Sequence, residues 1–234
     1  MATSLKSWET KILPKIPNVP IQAIYGALRN ACRTFCEKTH LWVYTLPYID
    51  VAALTADYTL HIPDGSVGDG GIDLNAELIG IPDDGVRYRE NGEDTDTFQH
   101  LTLTSETDMD VVSAIWKYET ADVPSKFWMD NVDKKLHLYP IPEDLSTDGL
   151  EVHVILEPDK TCTTVPDFLY RDYVDEITWG ALAELFGAVS TPWYDEALTD
   201  KYEERFKSGY NNAKTKKFTG PTNKPITLKL GFFA

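Results

Sequence analysis

The hydrophobic period of this chain changes twice. Apolar side chains recur at three- and four-residue steps from Ile21 to about residue 39. From His40 to about Val165 they recur at two, and beyond Val165 the helical period returns. In "VPIQAIYGALRNACRTFCEKT", Ile21, Ile24, Leu28, Ala31, Cys32 and Phe35 make one apolar stripe. Asn18 is the expected cap, and Pro20 suits a first turn. In "VPDFLYRDYVDEITWGALAELFG", Leu169, Tyr173, Val174, Ile177, Ala181 and Leu185 share a broad arc, with Asp172, Asp175 and Glu176 facing away. Trp179 and Phe186 project from the otherwise polar side, so the later turns are expected to be covered on both flanks. A third helix is expected after "STPW", capped by Thr191 with Pro192 first, and striped by Tyr194, Leu198, Tyr202, Phe206, Gly209 and Ala213.

Between these helices the alternation predicts strands. "LEVHVILEP" puts Leu150, Val152, Val154 and Leu156 on one face and Glu151, His153 and Glu157 on the other. Lys126–Asp130 and "KLHLYP" (135–140) are expected to form a hairpin across "NVDK". Further strands are expected at 57–63, 77–81 and 85–90, the last two joined by the turn "PDDG". Residues 107–116 favour a short helix. In all, roughly six strands are expected.

An amphipathic first helix that stayed apart from the later two would leave its stripe in water. At about 25 cal/mol per Å2 of apolar surface, that costs several kcal/mol against a total stability of about 5–15. The three helices are therefore expected to close on one another, with the β block as an insert. Gly26–Ala27 and Gly180–Ala181 are the expected crossing points, because mid-helix Gly costs about 1 kcal/mol unless close approach offsets it. The expected fold class is α+β: a small helical bundle (19–39 and 166–217), a β-rich, sandwich-like insert (40–165) and extended arms at 1–18 and 218–234. The leader carries Pro14, Pro17 and Pro20, which argue against a long helix.

Chemistry is sparse. With 37 acids against 22 bases the net charge is −15, which opposes phosphate-neutralising recognition of nucleic acid. There is no apolar leader of the secretory kind, and no stretch approaches the ~18 apolar residues of a membrane span. Cys32, Cys36 and Cys162 give an odd count and no disulfide framework; buried hydrophobic roles are expected for them. Asp69, Asp73 and Asn75 alternate as calcium ligands do, but Leu74 and Gly80 occupy the places where an EF-hand needs Gly and Glu. No hydrolase, zincin or P-loop motif occurs. Neither metal nor cofactor nor turnover is expected. Glu184 falls inside the apolar arc and is expected to pair with Arg29. His61, His137 and His153 are expected on outward strand positions, simply solvated.

Three phrases in order, "VPIQAIYGALRNACRTFCEKTHLWVYTL", "KLHLYPIPED" with the strand and helix from Leu150 to Gly187, and "TPWYDEALTDKYEERFKSGYNNAKTK", resemble the head-to-tail adaptor (connector) proteins of tailed bacteriophages. The resemblance runs from about residue 17 to residue 217 and rests on packing residues rather than a catalytic motif. It implies a virion protein at the head–tail junction, assembled in the host cytoplasm. It also implies a homo-oligomeric ring, typically of twelve copies, that binds portal protein on one side and a tail or nozzle protein on the other. Genomic DNA would pass through the channel without specific binding.

The resemblance also assigns the terminal "PITLKLGFFA" to docking by strand addition. Lys224 and Lys229 would meet acids, Ile226, Leu228 and Leu230 would line one side, and Phe232 and Phe233 would fill pockets. Two other readings stay open on the residues alone. One is a β-domain that binds a host-surface glycan, which the six Trp and twelve Tyr permit. The other is an acid hydrolase, which needs two carboxylates about 5–10 Å apart in a cleft.

Overall fold

The computed structural model describes residues 2–64, 74–90, 97–112, 115–130 and 132–219. In chain order the elements are β1 (Ala2–Ser4), α1 (Glu9–Ile12), α2 (Ile21–Thr39), β2 (Val43–Thr45), β3 (Ile49–Val51), β4 (Asp57–Thr59), β5 (Ala76–Gly80) and β6 (Val86–Tyr88). There follow β7 (Gln99–His100), β8 (Thr102–Leu103), α3 (Glu106–Val112), β9 (Thr120–Ala121), β10 (Lys126–Asp130) and β11 (Lys135–Tyr139). The chain closes with β12 (Ile141–Pro142), β13 (Ser146–Pro158), β14 (Thr164–Pro166), α4 (Asp167–Phe186) and α5 (Glu196–Thr219). The fold is α+β and divides into two compact units, Met1–Leu41 with Pro158–Ala234, and Trp42–Glu157.

In the first unit α2, α4 and α5 pack on one another. Ile24, Leu28, Cys32 and Phe35 of α2 are fully buried, as are Leu169, Ile177, Ala181 and Leu182 of α4. The Phe35 ring lies 4.8 Å from that of Tyr173 and 6.5 Å from that of Phe206, so one aromatic of α2 touches both late helices. On the far flank of α4, Phe186 stacks on Tyr202 at 5.8 Å, and the Arg205 guanidinium lies 5.9 Å from the Trp179 ring. Its own unit thus covers α4 on both sides.

Three expectations about helix ends are corrected. Asn18 does not cap α2; it takes a left-handed φ of 74°, and Pro20 occupies the cap position without a side-chain bond. Thr191 does not cap α5; "STPWY" forms turns, and Asp195 accepts from the Leu198 N–H at 3.0 Å to cap a helix that starts at Glu196. Residues 2–18 are not an extended arm. β1 pairs antiparallel with β14, Leu5–Trp8 forms a 3-10 turn and α1 follows. Leu5, Trp8, Ile12 and Ile16 are buried, with Trp8 edge-on to Tyr170 at 4.7 Å. These four recur at helical steps, an apolar stripe that the prolines mask without abolishing.

The second unit is organised around β13, which pairs with β2 and β3 on one edge and β6 on the other. Val152 pairs with Val86 and Leu150 with both Ile49 and Tyr88, so the alternating apolar face of β13 meets apolar neighbours on two sides. A separate four-stranded sheet runs β4-β11-β10-β8. Its hairpin keeps Phe127 opposite Leu138 and Trp128 opposite His137. Phe127, Leu136 and Leu138 point into the core and are essentially unexposed. The count of six strands was too low. β2, β3, β7, β8, β9 and β12 are two or three residues long, too short to display a period of two.

Candidate assembly surfaces

The expected crossing glycines behave differently. A Cβ built on Gly180 would lie 3.0 Å from the Ala31 Cβ and 3.0 Å from the Phe206 ring, so α2 and α5 both crowd this point of α4. Ala181 beside it is fully buried, as is Ala27 on α2. A Cβ on Gly26 would meet nothing within 4 Å. The near approach on α2 therefore passes through Ala31, five residues beyond Gly26, and the expected Gly26 notch is corrected.

The other candidates also fall into place. Glu184 is exposed rather than buried, and accepts from Asn30 Nδ2 at 2.7 Å. Arg29 instead donates to the Lys160 carbonyl at 3.1 Å, so the expected Arg29–Glu184 pair does not form. All three thiols are free and buried. Burial pushes Cys32 well above the usual thiol range and Cys162 up to about 11, which keeps both protonated and unreactive at neutral pH. His137 and His153 are more than solvated. His137 Nδ1 lies 2.7 Å from Asp57 and its ring stacks on Trp128 at 5.0 Å. His153 Nδ1 lies 2.8 Å from Thr45 Oγ1. Asp69 and Asp73 lie outside the described residues, as do Lys224, Ile226, Leu228, Lys229, Leu230, Phe232 and Phe233. Among the described residues no group of three or more His, Cys, Asp or Glu is placed to hold a metal.

What the structure does display is an apolar outlook on the second unit. α3 starts from Ser105, whose Oγ accepts the Asp108 N–H at 3.1 Å. Met109 is fully buried and Trp116 nearly so; the Trp116 indole N–H donates to Asp110 at 2.8 Å, and Lys117 pairs with Glu106 at 2.8 Å. These contacts anchor a segment that leaves Val111 84%, Ile115 64% and Tyr118 84% exposed. Scattered apolar residues are normal on any surface; these three share one pinned segment. Period reading missed them because a helix this short shows no stripe.

The aromatics nearby are not laid out as a platform. Trp116 meets Trp128 edge-on at 5.1 Å and Tyr139 edge-on at 6.2 Å, and Trp128 gives a face to His137. The cluster is occupied with itself.

The surfaces described so far carry packing and contact features rather than a reacting constellation. The family model described as SU10 adaptor protein matches residues 12–225, nearly the whole chain. The chain belongs to the SU10 adaptor protein family. It is a structural phage adaptor of the head-to-tail kind. No curated protein matches the sequence. No helix among the adaptor's described residues is long and apolar enough to cross a membrane. The match spans both units of the adaptor, the helices α2, α4 and α5 and the intervening β-rich stretch alike.

Proposed function

We propose that copies of this adaptor form a ring, twelve-membered by the family resemblance, that joins the portal vertex to the tail. The ring leaves a channel through which genomic DNA passes, and the chain performs no turnover. The observation that carries this reading is the family match over residues 12–225. The net charge of −15 suits a conduit that DNA does not adhere to. The exposed Val111, Ile115 and Tyr118 suit a protein whose surface is completed by neighbours. In this reading residues 40–165 act as an inserted domain. The terminal arm, with Lys224, Ile226, Leu228, Lys229, Leu230, Phe232 and Phe233, adds as a strand to the portal or a neighbouring copy.

Electron microscopy of the protein mixed with its portal tests the assembly: end-on rings seated on the portal are expected, and a protein that stays monomeric and ignores the portal overturns it. Removing residues 221–234 tests the arm. A folded subunit with weakened portal docking is expected, and unchanged portal affinity rules the arm out. The self-stacked state of Trp116, Trp128, His137 and Tyr139 weighs against the glycan-binding alternative, which needs open ring faces.

A further inference from the structure

All 37 acidic residues of the chain lie in its first 204 residues, and none follows Glu204. The remaining stretch holds seven bases: Arg205, Lys207, Lys214, Lys216, Lys217, Lys224 and Lys229. The switch falls inside α5, between Glu204 and Arg205. Four-residue steps put Glu196, Asp200 and Glu204 in one line along the helix, and three- and four-residue steps continue it through Lys207, Asn211 and Lys214. All six are exposed, whereas Phe206, Gly209 and Ala213 are buried on the opposite face. The solvent face of a helix about 36 Å long is thus negative along one half, Lys201 apart, and positive along the other.

Neither the helix dipole nor internal pairing accounts for this polarity. The dipole acts on the first and last turns, yet Glu204 and Lys207 sit near the middle. At the border Lys207 bridges to Glu203 at 2.6 Å, Arg205 lies over Trp179, and Lys217 donates to the His40 carbonyl. Glu196, Asp200, Glu204 and Lys214 make no salt bridge with any described residue. Three acids at successive four-residue steps repel one another, and within the subunit the dipole offsets this only for Glu196 in the first turn.

A ring contact is heterologous: one patch of each copy meets a different patch of the next. A face with a negative half and a positive half supplies both patches when neighbours overlap by half its length; full antiparallel overlap would close a dimer instead. We propose that the exposed face of α5 is a copy-to-copy contact, in which the acidic half (Glu196, Asp200, Glu204) of one copy receives the basic half (Lys207, Lys214) of its neighbour. This rests on the ring reading and names the residues by which copies select one another. The partner is a second copy rather than DNA, because the basic half is attached to a chain whose other residues are strongly acidic and hold a polyanion off.

The test uses two full-length variants, Asp200→Lys/Glu204→Lys and Lys207→Glu/Lys214→Glu, with sedimentation velocity as the readout and circular dichroism as the check on folding. Wild type is expected to form species larger than a dimer at about 50 mM salt and to loosen at about 500 mM, where screening shortens. Each variant alone is expected to self-associate at least about tenfold more weakly, since like charges then face one another. An equimolar mixture of the two is expected to recover the wild-type mass, which an unfolded variant could not do. Variants that assemble as wild type does, or a mixture that fails to recover, overturn the α5 contact and leave the ring standing. Wild type that remains monomeric at every concentration overturns the ring, and the contact with it.

Discussion

The two units of this adaptor both bury large side chains, Trp8 and Phe35 in one and Phe127 and Tyr88 in the other, but the chain builds them differently. The helical unit draws on both ends of the chain, and its crossings depend on what is missing: at Gly180 the lack of a Cβ lets Ala31 and Phe206 close in, and at Gly209 it admits Glu176. The β unit is one uninterrupted stretch, and its centre is filled by large side chains such as Phe127, Tyr88 and Leu138. Both units are therefore expected to be sensitive to removed volume, and the helical unit to added volume at the Gly180 crossing as well. A shift at the Gly180 crossing moves segments distant in sequence.

The largest break is expected in the β unit. Phe127→Ala removes a ring that is 0% exposed, and such truncations cost about 3–5 kcal/mol through lost burial and the cavity left behind. Calorimetry with circular dichroism checks it: the β transition falls in temperature while the helical signal at 222 nm melts near its original value. A single shared transition that moves as a whole would show the two units to be one cooperative body.

Next comes a pair of changes within one unit. Gly180→Val places a Cβ 3.0 Å from Ala31 and from Phe206, and overpacking of this kind costs about 1–3 kcal/mol. Gly26→Ala adds the same first carbon to open space, and it is expected to stabilise by about 0.4–1 kcal/mol by removing freedom from the unfolded chain. Urea midpoints moving in opposite directions are the expected result. Equal losses at both sites would mean that α2 is crowded at Gly26 by something outside the described residues, a neighbouring copy above all.

That pair also shows what a sequence can and cannot disclose. Both glycines interrupt an apolar helix, and period and propensity treat them alike; only the azimuth of the partner helix separates them. The stripes of α2 and α4, the alternation of β13 and the β10–β11 hairpin were readable because each runs long enough to repeat. The paired strands of two or three residues carry no repeat and depend on tertiary context. The leader was misjudged for a different reason: Pro14 and Pro17 outweighed the spacing of Leu5, Trp8 and Ile12, although a 3-10 turn and one helical turn fit before the first proline. Glu184 misled because a broad arc gives no sharp edge, and a residue at its margin reaches solvent. The exposed Val111, Ile115 and Tyr118 could not be told from core residues by type. The change of sign within α5 was plain in the sequence; the structure adds that the two signs share one open face.

The smallest effect sharpens the comparison at the end of α2. His40 closes that helix in a left-handed conformation, φ 52°, and its N–H bonds to the Cys36 carbonyl at 2.8 Å. Its pKa lies below the ordinary 6.5, first because burial disfavours the imidazolium and then because Lys217 and Lys214 stand nearby. A base whose folded pKa is depressed binds a proton more readily when unfolded, so stability is complete above the unfolded value of 6.5. It declines as pH falls from there toward the folded value, and no further below it. His40→Asn keeps a residue that tolerates the left-handed region and removes the titration. The melting temperature of the helical unit is then expected to change less between about pH 7.5 and pH 5.5 than it does in wild type. Because burial and the two lysines both depress it, about 0.5 M salt should shrink the wild-type slope by screening the lysine part without abolishing it. A slope that vanishes with salt would assign the shift to the basic end of α5 instead. That would make His40 a reporter of Lys214, one of the charges proposed to meet the next copy.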